Sequence, residues 1–441
     1  SRTRLQQNDS DSGTTWRSAP TRTRTTSTRR PAAWGLTTPA IAWHSDNSCI
    51  VANPTTSVGD VTVRVRLDIT GVVQGVGFRP AVARIAAGHG LSGWVCNDAG
   101  SVHCELEGPA EAVDAAVSAL RETPPPMARI DTLNVTTVVP RGGSGFGIVE
   151  SRSDDGARTL VPPDIAACGD CLREMRDPTD RRYRHPFITC TNCGPRYTVI
   201  TDLPYDRPTT TMAGFPMCPA CAAEYADPAD RRYHAQTIAC ADCGPRLSWL
   251  GPGDTTDPIG AAADALDPIG AAVAALKAGR TVAVKGIGGF HLACRADDPA
   301  AVARLRTRKT RPDKPFAVMV ADLDAARAIA EVDDAAAAAL ACPAAPIVLV
   351  PDRGAIAGDV APGLAELGVM LAYSPVHHLL FDRLGSMPLV MTSANRGGSP
   401  IVFRDEDLSW IVGSAESPDL ADAVLTHDRP IHVPCEDSVI A

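Results

Sequence analysis

Eight of the 14 cysteines stand in four C-x2-C pairs: Cys168 with Cys171, Cys190 with Cys193, Cys218 with Cys221, and Cys240 with Cys243. Each half of the set reads C-x2-C-x18-C-x2-C. Two thiolates on one tight turn present both sulfurs to a single ion, and a second such turn completes the tetrahedron that zinc prefers. With all four positions filled by cysteine no place stays open for water, so two structural zinc ions are expected. Disulfides or an iron–sulfur cluster are the competing readings, and the spacing leaves open which pairs share an ion. His185 and His234 lie near the second pairs but are surplus to four ligands, and they read as surface or packing residues.

A second chemical stretch is GVVQGVGFRP, residues 71–80. Gly75 and Gly77 would let the amides of residues 76–79 turn inward as a nest, made more positive by a helix start. Arg79 at the rim could grip a phosphate through two parallel hydrogen bonds, with Gln74, Val76 and Phe78 completing the loop. The plainer alternative is a tight turn with a solvated arginine.

Only four of the 42 basic residues are lysine, and three of them fall in short motifs. Lys285 and Gly286 open KGIGGFHLACRA, which is not a Walker loop because its lysine precedes the glycines. Lys309, Arg311 and Lys314 in RKTRPDKPFAVM form a cationic cluster of the kind a triphosphate or acyl phosphate needs. Thr392, Ser393 and Asn395 in MTSANRGGSP supply hydroxyls and an amide at a strand end, where α/β sheets bind ligands.

These residues need scaffolds. VTVRVRLDI, from Val61, alternates as a half-buried strand. A helix starting at Pro80 follows, then strands LSGWVCND and SVHCELEG, an amphipathic helix over 109–122, and strands at IDTLNVTTVV and GFGIVES. The order βαββαβ predicts a ferredoxin-like sandwich over residues 60–150. Residues 160–249 hold a repeat of period 50, since DPTDRRYRHPFITCTNCGPR from Asp177 returns as DPADRRYHAQTIACADCGPR from Asp227. From 262 to 441, strands PFAVMVAD, PIVLVPD and PLVMTSA alternate with alanine-rich helices in an α/β pattern. The fold class is therefore an α+β multidomain chain. Residues 1–58, rich in Ser, Thr and Arg, cannot bury a core and are expected to be a disordered extension.

The stretch GVVQGVGFR followed by SGWVCND resembles the acylphosphatase signature. By that resemblance Arg79 binds the phosphate and Asn97 holds the attacking water. The α/β motifs resemble YrdC-like domains, which form carbamoyl adenylates from ATP. The order acylphosphatase-like domain, twin four-cysteine zinc modules and YrdC-like domain is similar to the hydrogenase maturation carbamoyltransferases of the HypF family. The resemblance implies carbamoyl phosphate and ATP, with magnesium accompanying the ATP, as substrates for a carbamoyl adenylate. The carbamoyl group would then pass to the C-terminal cysteine of a partner maturation protein and become the cyanide ligand of a nickel–iron hydrogenase. The family continues into a sugar-kinase-like domain that performs the final transfer, so this stretch, its YrdC-like domain included, is expected to be truncated: a fragment that hydrolyses carbamoyl phosphate and makes adenylate poorly, without delivering the group. VPCEDSV departs from the family pattern at Pro434 and Glu436, which puts substrate binding at that edge in question. A stand-alone acylphosphatase and a threonylcarbamoyl-adenylate synthase for tRNA modification are the alternative readings.

A net charge of −9 argues against a general nucleic-acid binder. No apolar run approaches 18 residues, so no membrane span is expected. Paired cysteines in a chain of this length point to metal in a reducing compartment, with the cytoplasm the natural place.

Overall fold

The computed structural model describes residues 61–98, 101–152, 161–251, 267–396, 398–412 and 420–441. The N-terminal extension read above as disordered lies outside them. The first domain runs β1 (Thr62–Val72), α1 (Phe78–Gly88), β2 (Ser92–Asn97), β3 (Val102–Pro109), α2 (Ala110–Glu122), β4 (Arg129–Val138) and β5 (Phe146–Ile148). The sheet order is β4-β1-β3-β2-β5, antiparallel except for the β2–β5 pair. Alternation along β1 sends Val65, Leu67 and Ile69 inward, where they meet Val82 and Ala86 of α1 and Val113, Val117 and Leu120 of α2. This is the expected split-βαβ sandwich, with β5 added at the edge.

Each cysteine module begins with a short helix, α3 (Gly169–Arg176) or α4 (Pro219–Ala226), whose preceding residue is the first cysteine of its first pair. The two copies share even a left-handed residue, Arg184 at φ 57° and His234 at φ 53°, fifty positions apart. Their cores differ. Cys171, Met175, Ile188 and Cys190 of the first copy pack with Ile269, Leu276, Val376 and Leu379 of the third domain. The second copy holds its own small cluster of Cys221, Ala235, Ile238 and Cys240. A cluster of that size is too small to stabilise a fold alone, which is the physical reason for a metal.

The third domain comprises β6 (Leu247–Leu250), α5 (Pro268–Lys277), β7 (Val282–Lys285), β8 (Phe290–Arg295), α6 (Pro299–Lys309), β9 (Ala317–Val320), α7 (Leu323–Ile329), α8 (Asp334–Leu340), β10 (Ile347–Pro351), β11 (Glu366–Leu371), α9 (Pro375–Leu384), β12 (Leu389–Ser393), β13 (Ala423–His427) and β14 (Val439–Ile440). They build one nine-stranded sheet in the order β14-β10-β11-β9-β12-β8-β7-β13-β6. Apolar clusters line both faces, so the strands read as continuous hydrophobic runs. β6 closes one edge by pairing with β13, which ties the end of the second cysteine module into this sheet. Among the described residues no helix is long and apolar enough to cross a membrane.

Candidate functional site

The glycine loop lies between β1 and α1. Gly75 (φ 67°) and Gly77 (φ 77°) take left-handed conformations that L side chains rarely adopt. Gly77 precedes the first turn of α1, which begins two residues before Pro80, so Phe78 and Arg79 belong to the helix. Val76 and Phe78 are buried in the core beneath, and that packing fixes the turn. The Gln74 amide donates to the carbonyls of Asp98 and Ser101, which ties the loop to the β2–β3 turn. Arg79 and Asn97, 7% and 1% exposed, sit side by side. With the amide oxygen of Asn97 turned toward the guanidinium, it accepts from Nη2 and Nε at 3.2 Å.

The cysteine modules wall this loop in. The cavity over it is bounded by Gln74, Gly77, Arg79 and Asn97 on one side and by Thr191, Arg196, Tyr205 and His234 on the other. A methyl group added at Gly75 would stand 2.8 Å from Cγ of Pro162, and one at Gly77 would stand 3.3 Å from Cβ of Thr191. The Arg196 side chain donates to the carbonyl of Gly75. The Arg79 guanidinium already has an anion: Nη2 lies 2.6 Å from Oδ1 of Asp206, and Nη1 donates to Ser151 at 3.1 Å. An anion bound at this arginine would have to displace that carboxylate. His234, read above as a surface or packing residue, faces this cavity, and burial followed by nearby Arg79 pushes it down to about 4. His185 is a packing residue, buried against Phe187.

The eight cysteines form two groups, each within one copy: Cys168, Cys171, Cys190 and Cys193, then Cys218, Cys221, Cys240 and Cys243. Neighbouring sulfurs lie 3.5–3.7 Å apart in the first group and 3.6–3.8 Å apart in the second. A tetrahedral ion at about 2.3 Å from each sulfur sets them about 3.8 Å apart, so both sites fit zinc. A disulfide would need about 2.05 Å.

In the third domain a cleft is lined by His291, Arg311, Thr392, Ser393, Glu436 and Asp437. Of the residues singled out from the sequence, Arg311, Thr392 and Ser393 line it. Lys309 stands behind them, donating to the carbonyls of Ser393 at 2.5 Å and Asn395 at 2.9 Å and to the Asn395 side chain. Burial, with Arg311 alongside, pushes this amine down to about 7 against the pull of Glu436. Lys285 lies elsewhere: its ammonium is paired with Asp405 at 2.7 Å and donates to the carbonyl of His427. Gly286 backs onto His291, and Lys314 is exposed on its loop. The sequence reading missed His291 and Asp437, which bond at 3.1 Å across the cleft. Although burial alone would raise it, His291 holds the Asp437 carboxyl below the usual range.

A ferredoxin-like sandwich with a glycine loop, two four-thiolate groups and a mixed-sheet domain with a polar cleft define a modular protein of three parts. A family model described as Acylphosphatase matches residues 65–148, one described as HypF finger matches 167–200 and 217–250, and one described as Telomere recombination, covering Sua5, YciO and YrdC, matches 274–441. Carbamoyltransferase HypF2 of Cupriavidus necator is 49% identical over 86% of this chain and 48% of its own length. Carbamoyltransferase HypF of Rhodobacter capsulatus is 51% identical over 85% of this chain and 48% of its own. A crystal structure described as full-length HypF in the phosphate- and nucleotide-bound form superposes with a TM-score of 0.80 at 44% identity, covering 86% of this chain and 48% of that one. The chain belongs to the HypF carbamoyltransferase family and spans about half the length of the relatives it matches.

Proposed function

We propose that this chain carries the carbamoyl-activating steps of a hydrogenase maturation carbamoyltransferase, divided into an acylphosphatase-like domain (60–150), zinc modules (160–249) and a YrdC-like domain (262–441). The observation that carries the reading is the buried pair of Arg79 and Asn97 beside a glycine nest, in one compact unit with a polar cleft of the YrdC type. In the first step carbamoyl phosphate binds with its phosphate on the amides of residues 76–79 and on Arg79. Asn97, hydrogen-bonded to Arg79, places a water against the phosphorus held there. No general base is needed, because the acyl phosphate already has a good leaving group and placement with charge neutralisation lowers the barrier. Water attacks phosphorus, the P–O bond to the carbamoyl oxygen breaks with loss of a proton to solvent, and carbamate and inorganic phosphate result.

In the second step carbamate attacks the α-phosphorus of ATP in the third-domain cleft, giving carbamoyl adenylate and pyrophosphate. Arg311, Thr392 and Ser393 contact the nucleotide or carbamoyl group there, with Lys309 and Asn395 fixing the strand end. Lys285, Gly286 and Lys314 contribute from the rim or through the fold. Magnesium would accompany the triphosphate, and Glu366, Glu436 and Asp437 are carboxylates that line the cleft. The zinc ions are structural. The acceptor is the C-terminal cysteine of a partner maturation protein, and the setting is the reducing cytoplasm, where eight metal-binding thiolates persist.

Phosphate release from carbamoyl phosphate, without ATP, tests the first step. The wild type is expected to release phosphate and Arg79→Ala to lose at least 100-fold in rate. Intact hydrolysis in Arg79→Ala would overturn the loop assignment. Pyrophosphate release that requires bicarbonate and threonine would point instead to a threonylcarbamoyl-adenylate synthase.

A further inference from the structure

We propose that each cysteine module secures the metal of the other through an exchanged pair of arginines, so that the two zinc ions are held and lost as a coupled pair. Arg181 of the first copy reaches across to the second, where its Nη1 and Nη2 lie 3.5 Å from Sγ of Cys221 and its Nη2 3.5 Å from Sγ of Cys218. Arg182 follows it, with Nη2 3.6 Å from the same Cys221 sulfur and Nε donating to the carbonyl of Ala239 at 2.9 Å. Fifty residues on, the second copy returns the contact. Arg231 Nη2 lies 3.2 Å from Sγ of Cys171, and Arg232 Nε donates to the carbonyl of Thr189 at 3.0 Å.

One carboxylate in each copy grips both incoming arginines: Glu224 takes Arg181 and Arg182, and Glu174 takes Arg231 and Arg232. Each glutamate stands three residues after a ligating cysteine on the same short helix, so one face presents thiolate and carboxylate together. The arrangement is isologous, as in a two-fold dimer built within one chain.

A zinc ion with four thiolates carries a formal charge of −2. Cationic N–H groups on the sulfurs offset that charge and fix the ligands, and such supporting contacts are typically worth 10–100-fold in metal affinity. Here they come from the partner copy. Losing one ion loosens the turn that carries the arginines, which strips the support from the other ion.

A chelator challenge of the zinc-loaded chain tests this, with exposed thiols trapped by a maleimide and assigned by peptide mass, a readout independent of catalysis. Arg231→Ala lies in the second copy, yet the cysteines of the first (168–193) are expected to label at least tenfold faster, with the second copy following. Arg181→Ala is expected to give the opposite order. Labelling that starts in the mutated copy, rises equally and simultaneously in both, or does not change would overturn the proposal. Should an alanine variant fail to fold, Arg231→Lys and Arg181→Lys keep the charge but lose the fork. They are expected to show the same crossed order at smaller amplitude, and an uncrossed order would count against the proposal.

Discussion

The Arg79 guanidinium is paired with Asp206, so a phosphate bound there would compete with a carboxylate. Replacing Asp206 with asparagine removes a competing charge, so inorganic phosphate is expected to bind severalfold more tightly by titration calorimetry. Weaker binding would instead mean that the carboxylate orients Arg79. Neither Asp206 nor Ser151 was legible in the sequence, because 127 positions separate Asp206 from its partner and no spacing rule joins them. Lys309 belongs to the same scale. Its pKa of about 7 lies below the ordinary lysine value near 10.4, so between these limits the unfolded chain binds more protons than the folded one and stability rises with pH. The melting temperature of the wild type, relative to Lys309→Met, is therefore expected to climb from pH 7 to pH 9.5. A flat difference would place the amine at its ordinary value.

At the scale of elements, the loop between β1 and α1 was readable because glycine spacing and a strand-to-helix switch are local signals. Gly77→Ala puts a side chain at φ 77° and against Thr191 and Asn192. It is expected to cost about 1–2 kcal/mol in stability and to lower carbamoyl phosphate hydrolysis, measured by melting and phosphate release on the same preparation. Full stability and activity in Gly77→Ala would contradict the tight seat described for the loop. The cysteine modules were legible down to their ligands, since a 50-residue period places them without reference to anything distant. Strands β6 and β13 were not. LSWL and AVLTH are short apolar runs whose strand state comes from pairing with each other across 170 or more residues. Lys285 sits in a motif that looks like a ligand loop, yet its partner Asp405 lies 120 positions away, and burial of that pair is a tertiary fact.

At the scale of the molecule, the zinc modules are the wall of one site and the floor between two. Thr191, Tyr205 and His234 close the cavity over Arg79, while Ile165 and Ala166 line a cavity shared with Cys435, Glu436 and Asp437 of the third domain. Metal removal should therefore reach chemistry that no cysteine touches. Chelation under reducing conditions is expected to abolish most carbamoyl phosphate hydrolysis and to raise hydrogen exchange in residues 74–80; unchanged exchange there would separate the modules from the loop. If one unit carries both chemistries, it exchanges labelled pyrophosphate into ATP only when carbamoyl phosphate is present. The wild type is expected to show exchange, with Arg79→Ala and Arg311→Ala both losing it. Hydrolysis of carbamoyl phosphate with no exchange under any condition would contradict the account and leave an acylphosphatase on a zinc scaffold.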